Sequence, residues 1–180
     1  MSKSLALAIV GLSAIVSTAA HAGPPPQLLG KSVVVNWSET RSQRSGDNPD
    51  YRTVDASHTL IVYVSSAGRV FIRQVNRTKS GSGKMDQGPG ESGSATTSRT
   101  ASFDAQSMTV IGESIGGARR TTAKFDNSFT TCTAIQGTGF QEGKTHVSIS
   151  SITKKRVEIR SVVVSGVSCS IQSGNAFGST

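Results

Sequence analysis

Twenty residues, Ser107 to Asp126, constrain the fold of this chain more than any other stretch: SMTVIGESIGGARRTTAKFD. Apolar and polar side chains alternate on both sides of a glycine pair, the pattern of two strands half-buried against a core. A two-residue primed turn at Gly116-Gly117 predicts an antiparallel hairpin with Ile115 opposite Ala118. Counting outward pairs Glu113 with Arg120, Ile111 with Thr122 and Thr109 with Lys124 on one face. The other face pairs Val110 with Ala123 and Met108 with Phe125, so it is apolar and belongs to the core.

The same period recurs elsewhere. In KSVVVNWSE (Lys31 to Glu39), Val33, Val35 and Trp37 share one face, and Val34 is the exception. HTLIVYVSSAGRVFIRQVNR (His58 to Arg77) reads as a hairpin turning at Ser65-Ser66-Ala67-Gly68. Its first arm is a nearly continuous apolar run, suited to burial on both faces. In its second arm Val70 and Ile72 share one face, while Arg69, Arg73 and Arg77 share the other with Phe71 and Val75. Further strands are predicted in TTCTAIQG and in the run Thr145 to Ile171, where Gly166 marks a bulge or bend. The first turn of that run falls near Thr153 to Lys155, with an open register because Ile149 and Ile152 differ in parity. No apolar period of 3.6 residues competes. The expected fold is therefore all-β: a single antiparallel β-sandwich or partly open barrel of about seven to nine short strands.

The N-terminus bears on compartment. Lys3, the apolar run LALAIVGLSAIVSTAA and the small-x-small triplet Ala20-His21-Ala22 have the form of a bacterial secretory signal, so residues 1–22 are expected to be cleaved. Residues 23–180 then make one β-rich domain, periplasmic or secreted. Cys132 and Cys169 are the only cysteines, and in an oxidising compartment they are expected to form a disulfide. Aromatic residues make up 5% of the chain, too few for the two interfacial girdles of an outer-membrane barrel. No transmembrane segment is expected in the mature chain.

KSGSGKMDQGPGESGSATTS, residues 79–98, is the longest irregular-looking run. A phosphate-cradling loop requires glycine five positions before the Gly-Lys pair and a hydroxyl after it. Thr78 and Met85 occupy those positions, so the phosphate reading fails. About three strands precede the run, too few to stand alone, which argues against a linker between domains. It is expected to be a flexible surface loop.

Sites for chemistry are sparse. His58 and His146 fall in strand-like segments, where a lone histidine is more often packed than ligating. Asp47, Asp50 and Asp55 lack the calcium-loop pattern. Glu91, Glu113, Glu142 and Glu158 could act as a carboxylate pair only by meeting in space. No cofactor is implied. The basic residues carry the functional expectation: 19 Lys and Arg face 11 Asp and Glu, a net charge of +8. Arg69, Phe71, Arg73 and Arg77 would line one strand face, with Lys79 and Lys84 extending it and Arg119-Arg120 and Lys154-Lys155-Arg156 at hairpin ends. Such a platform suits an anionic polysaccharide, a lipid head group or another envelope protein, and no nucleic-acid signature is present. The expected function is non-enzymatic binding. The alternatives are a small secreted hydrolase with a carboxylate or histidine site, and a structural envelope protein that associates through strand edges.

Overall fold

The computed structural model describes residues 23–46, 48–78, 81–88, 99–114, 117–141, 143–149 and 155–179. The expected signal segment, residues 1–22, lies outside them. Among the described residues the chain is all-β, with a short 3₁₀ turn near each end, Pro26–Leu28 and Ala176–Ser179. No helix among them is long and apolar enough to cross a membrane.

Among the described residues ten antiparallel strands form two sheets. The first contains β1 (Lys31–Ser45), β2 (Arg52–Val64), β3 (Val70–Thr78), β4 (Gly81–Gln87), β9 (His146–Ile149) and β10 (Arg156–Ser173), in the order β4-β3-β2-β1-β10-β9. The second contains β5 (Arg99–Asp104), β6 (Ser107–Ser114), β7 (Gly117–Phe125) and β8 (Cys132–Gly137), in sequence order. Several strands are longer than the sequence predicts, with 15 residues in β1 and 18 in β10. Gly81–Gln87, expected to belong to the 79–98 loop, is instead the edge strand β4, paired with β3 from Ile72↔Gln87 to Thr78↔Gly81. The missed signal is pairing: a Gly/Ser-rich edge strand shows no apolar alternation, yet its backbone extends the β3 ladder.

One core joins both sheets. Val33, Val35, Trp37, Leu60, Val62 and Ile72 meet Phe103, Met108, Val110, Ala123 and Phe125 across it. The parity read from the sequence accounts for Val33, Val35, Trp37 and Ile72 and for Met108, Val110, Ala123 and Phe125. Val34 points the other way and is nonetheless buried, because the C-terminal 3₁₀ turn packs Ala176 and Phe177 over Val34 and Ile61. Ser32 Oγ fastens that turn, donating to Gly174 C=O at 2.7 Å and accepting from Ala176 N–H at 3.0 Å.

Strand β10 shows why bulges matter. Asn36 pairs with Ser168 and Ser38 with Ser165, so Gly166 and Val167 together oppose Trp37. Gly166 adopts φ +61°, a left-handed conformation that glycine takes without steric cost. The extra residue reverses parity. Val164 before the bulge and Val167, Cys169 and Ile171 after it therefore all pack toward the core. Cys169 is bonded to Cys132 on β8, stapling the two sheets across a sequence separation of 37 residues. In the chain-entropy model a loop of this length contributes about 4 kcal/mol.

The β6–β7 hairpin forms, but two residues out of the expected register. Ser114 pairs with Gly117, Glu113 with Ala118, Ile111 with Arg120 and Met108 with Ala123. The Glu113–Arg120 pair predicted above is thus not a direct cross-strand pair. A two-residue shift leaves every side chain on its face, so the apolar pattern cannot distinguish the registers. The observed one sets Gly112 opposite Arg119 instead of setting Ser114 there. The predicted turn near Thr153 falls in residues 150–154, outside the described residues.

Candidate functional site

Two groups of arginines lie on either side of the first sheet, the inner one drawn largely from the second sheet. The outer group is the one the sequence predicts. β3 presents Phe71 and Arg73 outward, with Arg69 just before the strand and Arg77 near its end, both exposed. Gly68, at φ +74°, closes the preceding turn by donating its N–H to Ser65 C=O at 2.9 Å. Phe71 stacks on Tyr63 with ring centroids 6.1 Å apart.

Arg73 differs from its neighbours. Its Nη1 donates to Phe177 C=O at 2.7 Å and its guanidinium lies 4.6 Å from the Phe177 ring centroid. It clamps the C-terminal turn over Val34 and Ile61 instead of standing free for a ligand. Arg77 lines a shallow depression of about 540 Å³ with Ser38, Thr40, Asp55 and Ser57. Thr40 Oγ1 donates to Asp55 at 2.9 Å within it. Lys84 lies on β4 opposite Val75, its side chain outside the described set, and Lys79 lies outside the described residues altogether.

The inner group was not predicted, and Arg119, expected at a hairpin end as part of the basic platform, is instead 8% exposed and paired with Glu39. Glu39 follows Trp37 on the core-facing parity of β1 and is 1% exposed. A bare carboxylate there would be prohibitively costly, and it is answered from four directions. Arg41 donates from Nε at 2.9 Å and from Nη2 at 2.6 Å to Oε2. Arg119 Nη1 reaches across from the second sheet to Oε1, and Trp37 Nε1 donates to the same oxygen at 3.1 Å. His58 Nε2 lies 3.4 Å from Oε2. Burial alone would push the Glu39 carboxyl up; the hydrogen bond with His58 and the charges of Arg41 and Arg119 outweigh it and hold the carboxyl well below the usual carboxylate range.

The cluster continues along the inner face of β3. His58 stacks on Trp37 at 5.0 Å, with 11° between the planes, so it is a packed strand histidine as expected. Its Nδ1 lies 2.7 Å from Asn76 Oδ1. Gln74 Nε2 donates to the same oxygen at 2.7 Å, and Arg99 Nε donates to Gln74 Oε1 at 3.0 Å. On the second sheet, Arg99, Gly112 and Arg119 form one cross-strand row. A Cβ on Gly112 would lie 2.9 Å from Arg99 Cγ, so the absence of a side chain there lets Arg99 lie across the row. Burial, then the nearby Arg119 charge, draws the Arg99 guanidinium down to about 10. Burial likewise lowers Arg119, with Glu39 opposing the shift. Both remain cationic at neutral pH.

Chemically the inner cluster is an ion-pair centre. Its carboxylate accepts from two guanidiniums and an indole and is held ionised, so it has little basicity to offer as a proton acceptor near neutral pH. Glu158, one of the candidate carboxylates, is bound on the outer face of β10 by Arg44 Nε at 2.7 Å, Tyr51 Oη at 3.1 Å and Arg156 Nη2 at 2.8 Å. Glu91, Glu142 and Asp47 lie outside the described residues, as does the side chain of Glu113. Among the described residues no three His, Cys, Asp or Glu side chains converge as a metal site would require.

The sequence held a signal for the inner cluster. Glu39 shares the parity of Val33, Val35 and Trp37, and Arg119 shares that of Ala123 and Phe125. Opposite charges at core positions of two different strands point to a buried pair. No family model matches the chain, and no curated protein or solved structure resembles it significantly.

Proposed function

We propose that this is an exported, basic β-sandwich domain that binds an anionic envelope component without transforming it, through the outer face of β3. The observation carrying the reading is the placement of Arg69 and Arg77, exposed at the two ends of one strand with the Phe71–Tyr63 stack near the Arg69 end. Eight residues separate them, about 26 Å at a strand rise of roughly 3.3 Å per residue. Two cations that far apart suit an extended polyanion or a charged surface better than a small molecule. The net charge of +8 favours the same partners, and the disulfide is compatible with an oxidising compartment.

Arg73 is not part of the proposed contact, since it holds the C-terminal turn. The test is retention of the purified protein on beads carrying an anionic polysaccharide and, separately, on beads coated with anionic lipid. The wild type is expected to bind at least one and to elute with salt. Arg69→Ala with Arg77→Ala should elute at clearly lower salt, with a shallower salt dependence. Unchanged retention of the double variant on both supports would remove this face from the proposal.

A further inference from the structure

We propose that the inner cluster holds one small monovalent anion, a dehydrated halide such as chloride, on the Nε edge of Arg119. This site lies inside the fold and does not depend on the outer-face reading above. Arg119 is 8% exposed, and its Nε is buried without a hydrogen-bond partner among the described residues. Its Nη1 is already committed to Glu39. A guanidinium binds anions best through paired in-plane N–H donors, so a vacant buried Nε–H leaves a strong donor unanswered. Such orphaned donors are rare because each costs about 1–3 kcal/mol.

The local charge has the same sense. Arg41 and Arg119 both face Glu39, which supplies a single negative charge, so this trio alone carries an excess of one positive charge. Arg99 stands in the same cross-strand row, and the Arg119 charge lowers it. The chemical class follows from burial and charge count. A monoanion neutralises the trio, and beside the Glu39 carboxylate a dianion would meet about twice its repulsion. An ion reaching a guanidinium that is 8% exposed must shed most of its water, which favours a halide over a strongly hydrated oxyanion.

The experiment is thermal unfolding of the purified protein at fixed ionic strength, with chloride exchanged for gluconate. A bound anion stabilises by mass action, so the Tm is expected to rise by about 3–6 °C per tenfold increase in chloride above half-saturation. Arg119→Lys keeps the charge but removes the planar Nε–H and should abolish that dependence. Arg69→Ala with Arg77→Ala should retain it, separating the inner site from the outer face. Should Arg119→Lys fail to fold, crystals of the wild type soaked in bromide decide the matter, with an anomalous peak expected within hydrogen-bond reach of Arg119 Nε. Equal Tm values in chloride and gluconate, a chloride dependence that survives Arg119→Lys, or a site filled by water alone would overturn the proposal.

Discussion

Both faces of the first sheet meet arginines, the outer face its own and the inner face largely those of the second sheet, and the two sets behave oppositely. Arg69 and Arg77 stand in water, where a guanidinium needs no fixed partner and an ion pair contributes about 0–1 kcal/mol. Arg119, and Arg41 beside it, are drawn into the space between the sheets, where Glu39, His58 and Trp37 are organised around the charge. The difference is one of solvent, not of residue type. An exposed cation remains available to an external anion, whereas a buried one forces the protein to supply a counter-charge from its own core. The outer set can therefore serve recognition, while the inner set binds one sheet to the other.

The largest effect should come from removing the shared counter-charge. Glu39→Gln leaves Arg41 and Arg119 close together, both deprived of their anion. Loss of one partner from a buried ion pair costs about 3–5 kcal/mol, so urea unfolding should report a stability loss of that size. A loss below about 1 kcal/mol would mean that water reaches the cluster and that the contrast between the faces is false.

Acid should distinguish the faces in a second way. The folded state holds the Glu39 carboxyl below its unfolded value, so its contribution is complete above the ordinary carboxylate range and is lost as pH falls through the depressed folded value. Asp126 acts in the same sense, its carboxyl lowered by the Ser128 hydroxyl, the backbone N–H groups of Thr131 and Thr130 and the Thr130 hydroxyl. That carboxylate organises the loop that seats Phe129, at φ +53°, against Phe125 at 5.2 Å. Stability should therefore decline steadily below about pH 4. Glu39→Gln should flatten part of that decline, and substitution of Arg69 and Arg77 should leave the profile unchanged.

Arg73 is the intermediate case, an outer-face arginine with an inner-type task. Arg73→Ala removes a hydrogen bond to Phe177 C=O and a cation–π contact, and a loss of about 1–2 kcal/mol is expected. A double-mutant cycle with Phe177→Ala isolates the shared part. Additive losses would show that Arg73 does not hold the turn through that ring.

What the sequence revealed follows from what alternation can encode. Side-chain parity placed Met108, Val110, Ala123 and Phe125 in the core, and Arg69, Arg73 and Arg77 on the outer face of β3. The cysteine pair and the bulge at Gly166 were also legible, the first from its isolation and the second from a glycine inside an apolar run. Parity repeats every two residues, so it could not choose between Ser114 and Gly112 as the partner of Arg119. Nor could it reveal β4, a Gly/Ser-rich run without apolar alternation. The inner site remained hidden because Glu39, His58, Arg99 and Arg119 lie on four strands that only the assembled sheets bring together.

The smallest effect is the most informative about the outer face. Arg69→Ala with Arg77→Ala removes two exposed guanidiniums that no ion pair among the described residues engages. Their loss should change unfolding stability by no more than about 0.5 kcal/mol. Binding to an anionic support should weaken in the same protein, and the weakening should shrink as salt rises toward 1 M, where the Debye length is about 3 Å. A stability loss matching that of Arg73→Ala would give these two residues a structural task as well. The outer face would then resemble the inner one, and the division between a recognising and a fastening set of arginines would not hold.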